Sequence, residues 1–167
     1  LFSSVQSTFA ATDSKWADKW IASVGDAVTS LEGLTDGYYV LRNVGRKTFL
    51  RENDNNTLYL WNATNGSDDI ANVRTAFVHK NTVMSSVVYV TKNTGTNFYT
   101  MQFKSGQYLG ASLPHGGAAS SNATAGNIVI SFVSGNQFNF RPDESEWANG
   151  NGNGGYSEGS FTGWGTT

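Results

Sequence analysis

Gly37-Tyr38-Tyr39-Val40-Leu41-Arg42-Asn43, followed after a turn at Gly45 by Thr48-Phe49-Leu50, decides the fold, because two further versions of it follow. The second is Tyr99-Thr100-Met101, a turn at Gly106, then Gln107-Tyr108-Leu109. The third is Phe138-Asn139-Phe140, a polar turn from Pro142 to Ser145, then Glu146-Trp147-Ala148. Matching residues lie 60 positions apart from Tyr39 to Tyr99 and 39 apart from Tyr99 to Phe138. Large residues two apart put two side chains on one face of a strand, and the turn brings a second strand back beside it. A threefold repeat of about 40 residues without helical periodicity points to an all-β architecture built from three roughly four-stranded units.

Working outward, the alternation predicts strands at 38–43, 47–52, 57–62, 75–80, 87–92, 98–103, 107–112, 127–133, 137–141, 146–149 and 159–164. Val87-Val88-Tyr89-Val90 and Ile128-Val129-Ile130-Ser131 give the first two units a further strand. The third unit reaches Ser160-Phe161-Thr162-Gly163-Trp164 and then ends at Thr167, so its last strand is missing from the pattern. An open barrel leaves an unpaired backbone edge. The expectation is therefore a gap beside Tyr38 to Asn43, filled by polypeptide beyond Thr167 or by another chain. The run Gly150-Asn151-Gly152-Asn153-Gly154-Gly155 has neither the strand-to-helix context nor the Lys of a phosphate loop, which removes a nucleotide site.

Residues 1–36 read differently. Trp16, Trp20, Ile21, Val24, Ala27, Val28 and Leu31 recur at helical spacing, with Thr12 or Asp13 as N-cap and Gly33 past the end. They predict one amphipathic helix over about 14–32, docked through Trp16 and Trp20 on the β domain or on a neighbour.

Composition narrows the function. A net charge of −2 and no Lys/Arg cluster exclude an electrostatic grip on nucleic acid. Charged residues make up only 14%, in a chain rich in Gly, Asn, Ser and Thr, as short strands joined by polar turns require. No cysteine is present, so thiol chemistry and disulfides play no part. No apolar run approaches the ~20 residues that span a bilayer, so membrane insertion is not expected. The start, Leu1-Phe2-Ser3, carries no basic n-region of a signal peptide.

The three copies resemble a β-trefoil, and among trefoils the ricin-type lectin-like domains, in particular the divergent, cysteine-free versions in secreted proteins of gut-type bacteria. The resemblance covers about 37–167 and is carried best by Gly37 to Asn43 and by Gly106-Gln107-Tyr108-Leu109-Gly110. It implies twelve strands, six in a short barrel and six in hairpins that cap it. It divides the chain into an N-terminal helical segment, 1–36, and a trefoil domain, 37–167, incomplete at its C-terminal end. Two features depart from the family. The Gln-x-Trp motif of its sugar-binding copies is absent. Where those copies commonly place an Asp after the Leu strand, this chain has Arg51-Glu52, Gly110-Ala111 and Asn149-Gly150.

Catalysis finds little support. His79 and His115 are the two imidazoles, and no Gly-x-Ser-x-Gly elbow accompanies them. The acidic residues Asp143, Glu144 and Glu146 crowd one turn, whereas glycoside hydrolysis needs carboxylates on opposite sides of a bond. Asn65-Gly66-Ser67-Asp68-Asp69 does not match an EF-hand loop, and no metal or cofactor is expected.

Sugar binding fits better, because aromatic faces cover the apolar side of a pyranose while short amides and carboxylates meet its hydroxyls. Leu58-Tyr59-Leu60-Trp61-Asn62 alternates, so if Leu58 and Leu60 enter the core, Tyr59 and Trp61 face outward beside Asn53, Asp54 and Asn62. These five residues are the preferred ligand site. The second copy offers Tyr108 and His115, and the third Trp164. The reading is a noncatalytic carbohydrate-binding module of a secreted or cell-surface protein, with a glycan or polysaccharide as partner. Its rival is a structural or protein-interaction trefoil whose exposed aromatics meet neighbouring domains of a longer parent chain. A third reading is a protease-inhibitor-like trefoil.

Overall fold

The computed structural model describes residues 2–10, 20–44, 47–62, 85–151 and 159–164, with 2–10, 20–26, 151, 159–160 and 164 described by backbone alone. Among the described residues are eleven strands: β1 (Phe2–Ala10), β2 (Trp20–Ala27), β3 (Gly37–Asn43), β4 (Thr48–Glu52), β5 (Leu58–Trp61), β6 (Val87–Lys92), β7 (Tyr99–Gln102), β8 (Ile128–Ser134), β9 (Gln137–Pro142), β10 (Trp147–Asn151) and β11 (Gly159–Trp164). The protein is all-β over these residues. The strand expected at 75–80 lies outside them. The one expected at 107–112 is reduced to two isolated bridges, of Tyr108 with Gln102 and with Asn122.

Strand pairing closes on itself. β3 pairs with β6, β6 with β7, β7 with β8, β8 with β9, β9 with β1, and β1 returns to β3. Besides β2, which pairs with β1, this six-strand circuit leaves β4, β5, β10 and β11 outside it. These four form two hairpins, β4–β5 and β10–β11, and the chain around Tyr108 and Asn122 forms a third, held by Tyr108 N–H to Asn122 O (2.7 Å) and Asn122 N–H to Tyr108 O (2.8 Å). Each of the three touches the other two. Leu58 N–H donates to Ala119 O at 2.8 Å, Ala119 N–H to Phe161 O at 2.9 Å, and β11 pairs with β5 at Gly159–Leu60 and Ser160–Tyr59.

The repeat explains the core. Tyr39 and Leu41, Tyr99 and Met101, Phe138 and Phe140 are all buried in one apolar cluster. Leu50, Leu109 and Ala148, the matching residues of the second strand of each unit, join them. The aromatic that precedes each of those three meets an equivalent neighbour: Arg42 lies opposite Phe49, Gln102 bridges Tyr108, and the Arg141 guanidinium sits 4.8 Å over the Trp147 ring. Burial of this apolar surface is the main driving force for folding. The close approach of Gly126 to Gly110 shows how tightly the second unit packs, since a Cβ on Gly126 would fall 2.1 Å from Gly110 O.

Two expectations are corrected. Residues 20–27, expected within a helix over 14–32, form strand β2 paired with β1 from Val5–Ala27 to Ala10–Trp20. The β-branched and aromatic residues of that stretch suit a strand, and a neighbouring strand meets the backbone hydrogen bonds that a marginal isolated helix would have to meet alone. Residues 28–36 continue as turns, and 11–19, with Trp16, lie outside the described residues. The gap expected beside Tyr38 to Asn43 is occupied by the chain's own N-terminal strand, since Phe2 to Gln6 pair with Asn43 to Tyr39. No helix of the described residues is long and apolar enough to cross a membrane.

Candidate functional site

The alternation of the first hairpin sorts its side chains. Residues directly opposite in an antiparallel pair share a face. Leu50–Leu60 and Glu52–Leu58 therefore point inward, and Phe49–Trp61 and Arg51–Tyr59 lie on the other face. Leu50, Leu58 and Leu60 are fully buried, while Tyr59, Trp61 and Arg51 are half-buried, as the alternation requires. The hairpin turn is fixed by Asn53, whose Oδ1 accepts from Asn55 N–H (3.1 Å) and Thr57 N–H (2.9 Å). Asn56 takes the left-handed conformation there (φ 67°), which asparagine tolerates better than most residues.

Beside this turn is a cleft of about 420 Å³ lined by Arg51, Glu52, Asn53, Asp54, Asn56, Ser85, Lys104 and Ser105. Its floor holds Glu52, a buried carboxylate placed there by its inward register. Burying a charge is costly unless hydrogen bonds meet it. Ser105 Oγ donates to Glu52 Oε2 at 2.8 Å, and Ser121 Oγ donates to the same oxygen. The Gln107 side-chain amide lies 3.0 Å from the Ser121 hydroxyl.

Arg51 forms the wall toward the aromatics. Its guanidinium carbon stands 4.8 Å from the Trp61 ring centroid and 5.8 Å from that of Tyr59, and its Nε donates to Ser85 Oγ at 2.7 Å. The cation rests on the negative faces of both rings. The two terminal guanidinium nitrogens have no acceptor among the described residues.

Of the expected site residues, Asn53 and Asp54 line the cleft, and Tyr59 and Trp61 adjoin it through Arg51. Asn62 follows β5, and its Oδ1 is buried without a hydrogen-bond partner among the described residues. Tyr108 does not line the cleft; it is half-buried in the second hairpin. His115 is exposed in the loop before Gly116, its Nδ1 2.7 Å from Glu146 Oε1, and it belongs to the contact with β11. Trp164 pairs through its backbone with Trp147, and its side chain lies outside the description, as do His79 and Asp68–Asp69. Among the described residues no group of three or more His, Asp and Glu side chains is placed to hold a metal ion.

Arg51, Glu52, Asn56, Ser85, Lys104 and Ser105 are site residues that pattern reading missed. Glu52 carried a signal, since it falls on the Leu50 face of the strand. Ser85, Lys104 and Ser105 come from distant parts of the chain, and nothing local marks them.

A second cleft of about 410 Å³ lies between Leu31, Glu32, Lys92, Asn97, Tyr99, Val129 and Ile130. Burial pushes the Tyr99 hydroxyl above the usual tyrosine range, helped by the nearby Glu32 carboxylate and Tyr39. Leu31, Val129 and Ile130 make up much of its lining, which leaves it fewer groups able to orient a polar ligand than the first cleft has. Compared with known proteins, the chain matches no family model, no curated protein and no solved structure.

Proposed function

We infer that the protein is a β-trefoil of the ricin-type lectin-like kind and that it binds a glycan, without catalysis, at the first hairpin. Three features support the trefoil: the closed circuit of six strands, the three hairpins in mutual contact, and the equivalent burial of Tyr39, Tyr99 and Phe138. The observation that carries the glycan reading is the juxtaposition of the Arg51–Tyr59–Trp61 array with the polar cleft of Glu52, Asn53, Asp54 and Asn56. A concave site with a few fixed acceptors and donors beside aromatic surface suits a polyhydroxylated ring. Such a module works in a secreted or cell-surface protein that meets extracellular polysaccharide.

A glycan array on the purified protein tests this, with Trp61→Ala as control. The expected result is binding to a restricted glycan set that weakens at least about tenfold in the variant. Absence of binding overturns the reading.

One observation favours the protein-interaction reading instead. Phe132 and Val133, at the end of β8, are 42% and 45% exposed, and Phe132 meets Phe138 edge-to-face at 5.6 Å. Exposed apolar side chains at a hairpin end suit contact with a neighbouring domain of a longer parent chain. Retained glycan binding in a Phe132→Ser, Val133→Ser variant separates the two surfaces.

A further inference from the structure

We propose that the ligand of the Arg51 cleft is an acidic saccharide, whose carboxylate is held by the Arg51 guanidinium while its hydroxyls meet Glu52, Asp54 and Asn56. This rests on the glycan-binding reading and specifies the ligand class.

Three observations lead to it. First, Arg51 occupies the aromatic surface that a neutral sugar would use. At 4.8 Å from the Trp61 centroid and 5.8 Å from Tyr59, the guanidinium covers those ring faces, so a pyranose stacking there would have to displace a cation already held by two rings. Second, the guanidinium is fixed but unsatisfied. Nε is committed to Ser85 Oγ at 2.7 Å, which sets the plane of the fork, while the terminal nitrogens have no acceptor among the described residues. A planar fork of N–H donors matches a carboxylate in bidentate geometry, and its charge makes those bonds stronger than neutral ones.

Third, the acidic groups of the cleft do not neutralise Arg51. Glu52 is engaged by the hydroxyls of Ser105 and Ser121, and Arg51 forms no ion pair with another described residue. Glu52 and Asp54 remain as acceptors for hydroxyl donors, which a saccharide supplies and a simple anion does not. Lys104 adds a second positive charge to the rim. A ligand with one carboxylate and several hydroxyls uses all of these groups at once. The two other units carry Gly110 and Asn149 where the first carries Arg51, so the acid-selective site occurs once among the three.

The test is calorimetric titration of the protein with matched pairs: oligogalacturonate and oligoglucuronate against their methyl esters, and sialyllactose against lactose. At least one acid should bind about 10- to 100-fold more tightly than its neutral partner, as expected for a charge-assisted bidentate contact, and the preference should shrink as salt is raised. Arg51→Gln should abolish the preference by weakening the acid at least about tenfold more than its neutral partner, with unchanged circular dichroism and thermal midpoint confirming the fold. Equal binding of both members of every pair overturns the proposal and leaves the glycan reading intact. Binding of no saccharide overturns both. A preference that survives Arg51→Gln and disappears in Lys104→Gln overturns the assignment to Arg51.

Discussion

Glu52 accepts a hydrogen bond from the hydroxyl of Ser121, 69 residues further along the chain. The contact ties the first hairpin to the second beneath the cleft, and it gives a buried carboxylate the donors it needs. Ser121→Ala removes one donor and is expected to destabilise the protein by about 1–3 kcal/mol. Glu52→Ala, which also opens a void, should cost at least as much. Urea unfolding with the slope held constant measures both. A loss under about 0.5 kcal/mol in each variant means that the pair does not hold the hairpins together.

The glycines make a sharper comparison. A Cβ on Gly126 would fall 2.1 Å from Gly110 O and 2.9 Å from Ala111 N, both backbone atoms that cannot swing away, whereas Gly135 (φ 55°) has open space around it. Gly126→Ala should therefore cost about 3 kcal/mol or more, or prevent folding. Gly135→Ala should cost about 1 kcal/mol, the strain of a left-handed alanine alone. Thermal unfolding of the two variants side by side reads the ranking. Equal losses contradict the packing of the second unit.

Three tyrosines set the response to alkali. Burial raises the hydroxyl pKa of Tyr38, Tyr39 and Tyr99, with Tyr89 adding to the effect at Tyr38 and Asp36 at Tyr39. A folded-state pKa above the unfolded value of about 10 means that the unfolded chain loses its proton first. The stabilisation is complete below pH 10 and is lost as pH rises through the folded-state values. Tyr39 also donates to Thr35 O at 2.6 Å. Tyr39→Phe should cost about 1 kcal/mol at pH 8 from that lost bond and should flatten the fall in stability above pH 10. Stability measured from pH 8 to 11 in both proteins decides, and an identical alkaline slope counts against a role for Tyr39.

Strand β1 joins β3 to β9, so its removal breaks the six-strand circuit. A chain without residues 1–10 exposes two strand edges and part of the core, and it should aggregate or lose its cooperative transition. Adding the ten-residue peptide in trans should restore some of that transition. A soluble, cooperative truncated protein with an unchanged midpoint would show that β1 is an accessory strand.

The barrel strands were legible where the period of two was clean. Tyr39 with Leu41, Tyr99 with Met101, and Phe138 with Phe140 each mark one face, and all six are buried. Leu58 and Leu60 fixed the inward face of β5 in the same way. The N-terminal strands were not legible, and their ladder shows why. Register shifts between Val5 and Ser7 and between Thr8 and Phe9 break the alternation of the β1–β2 pair. Bulges of this kind insert unpaired residues, so Phe2, Val5 and Phe9 fall three and four apart and Trp20, Ile21 and Val24 imitate a helix. At the site, Asn53, Asp54, Tyr59 and Trp61 were readable from one hairpin. Arg51 was visible only as a departure from the family pattern, and Ser85, Lys104 and Ser105 needed the tertiary fold.

Closure by the first strand also sets the order of events in folding. Phe2 finds its partner Phe138 across nearly the whole described chain, whereas β3 and β4, or β8 and β9, are separated by short turns. The entropy of closing so long a loop is lost before any pairing compensates for it, so this seam should form late and slowly. During synthesis the Phe2–Ser3 end of the N-terminal strand must wait, unpaired on one side, until the ninth strand has emerged. The hairpin with β2, already available to it, shields that edge in the interval.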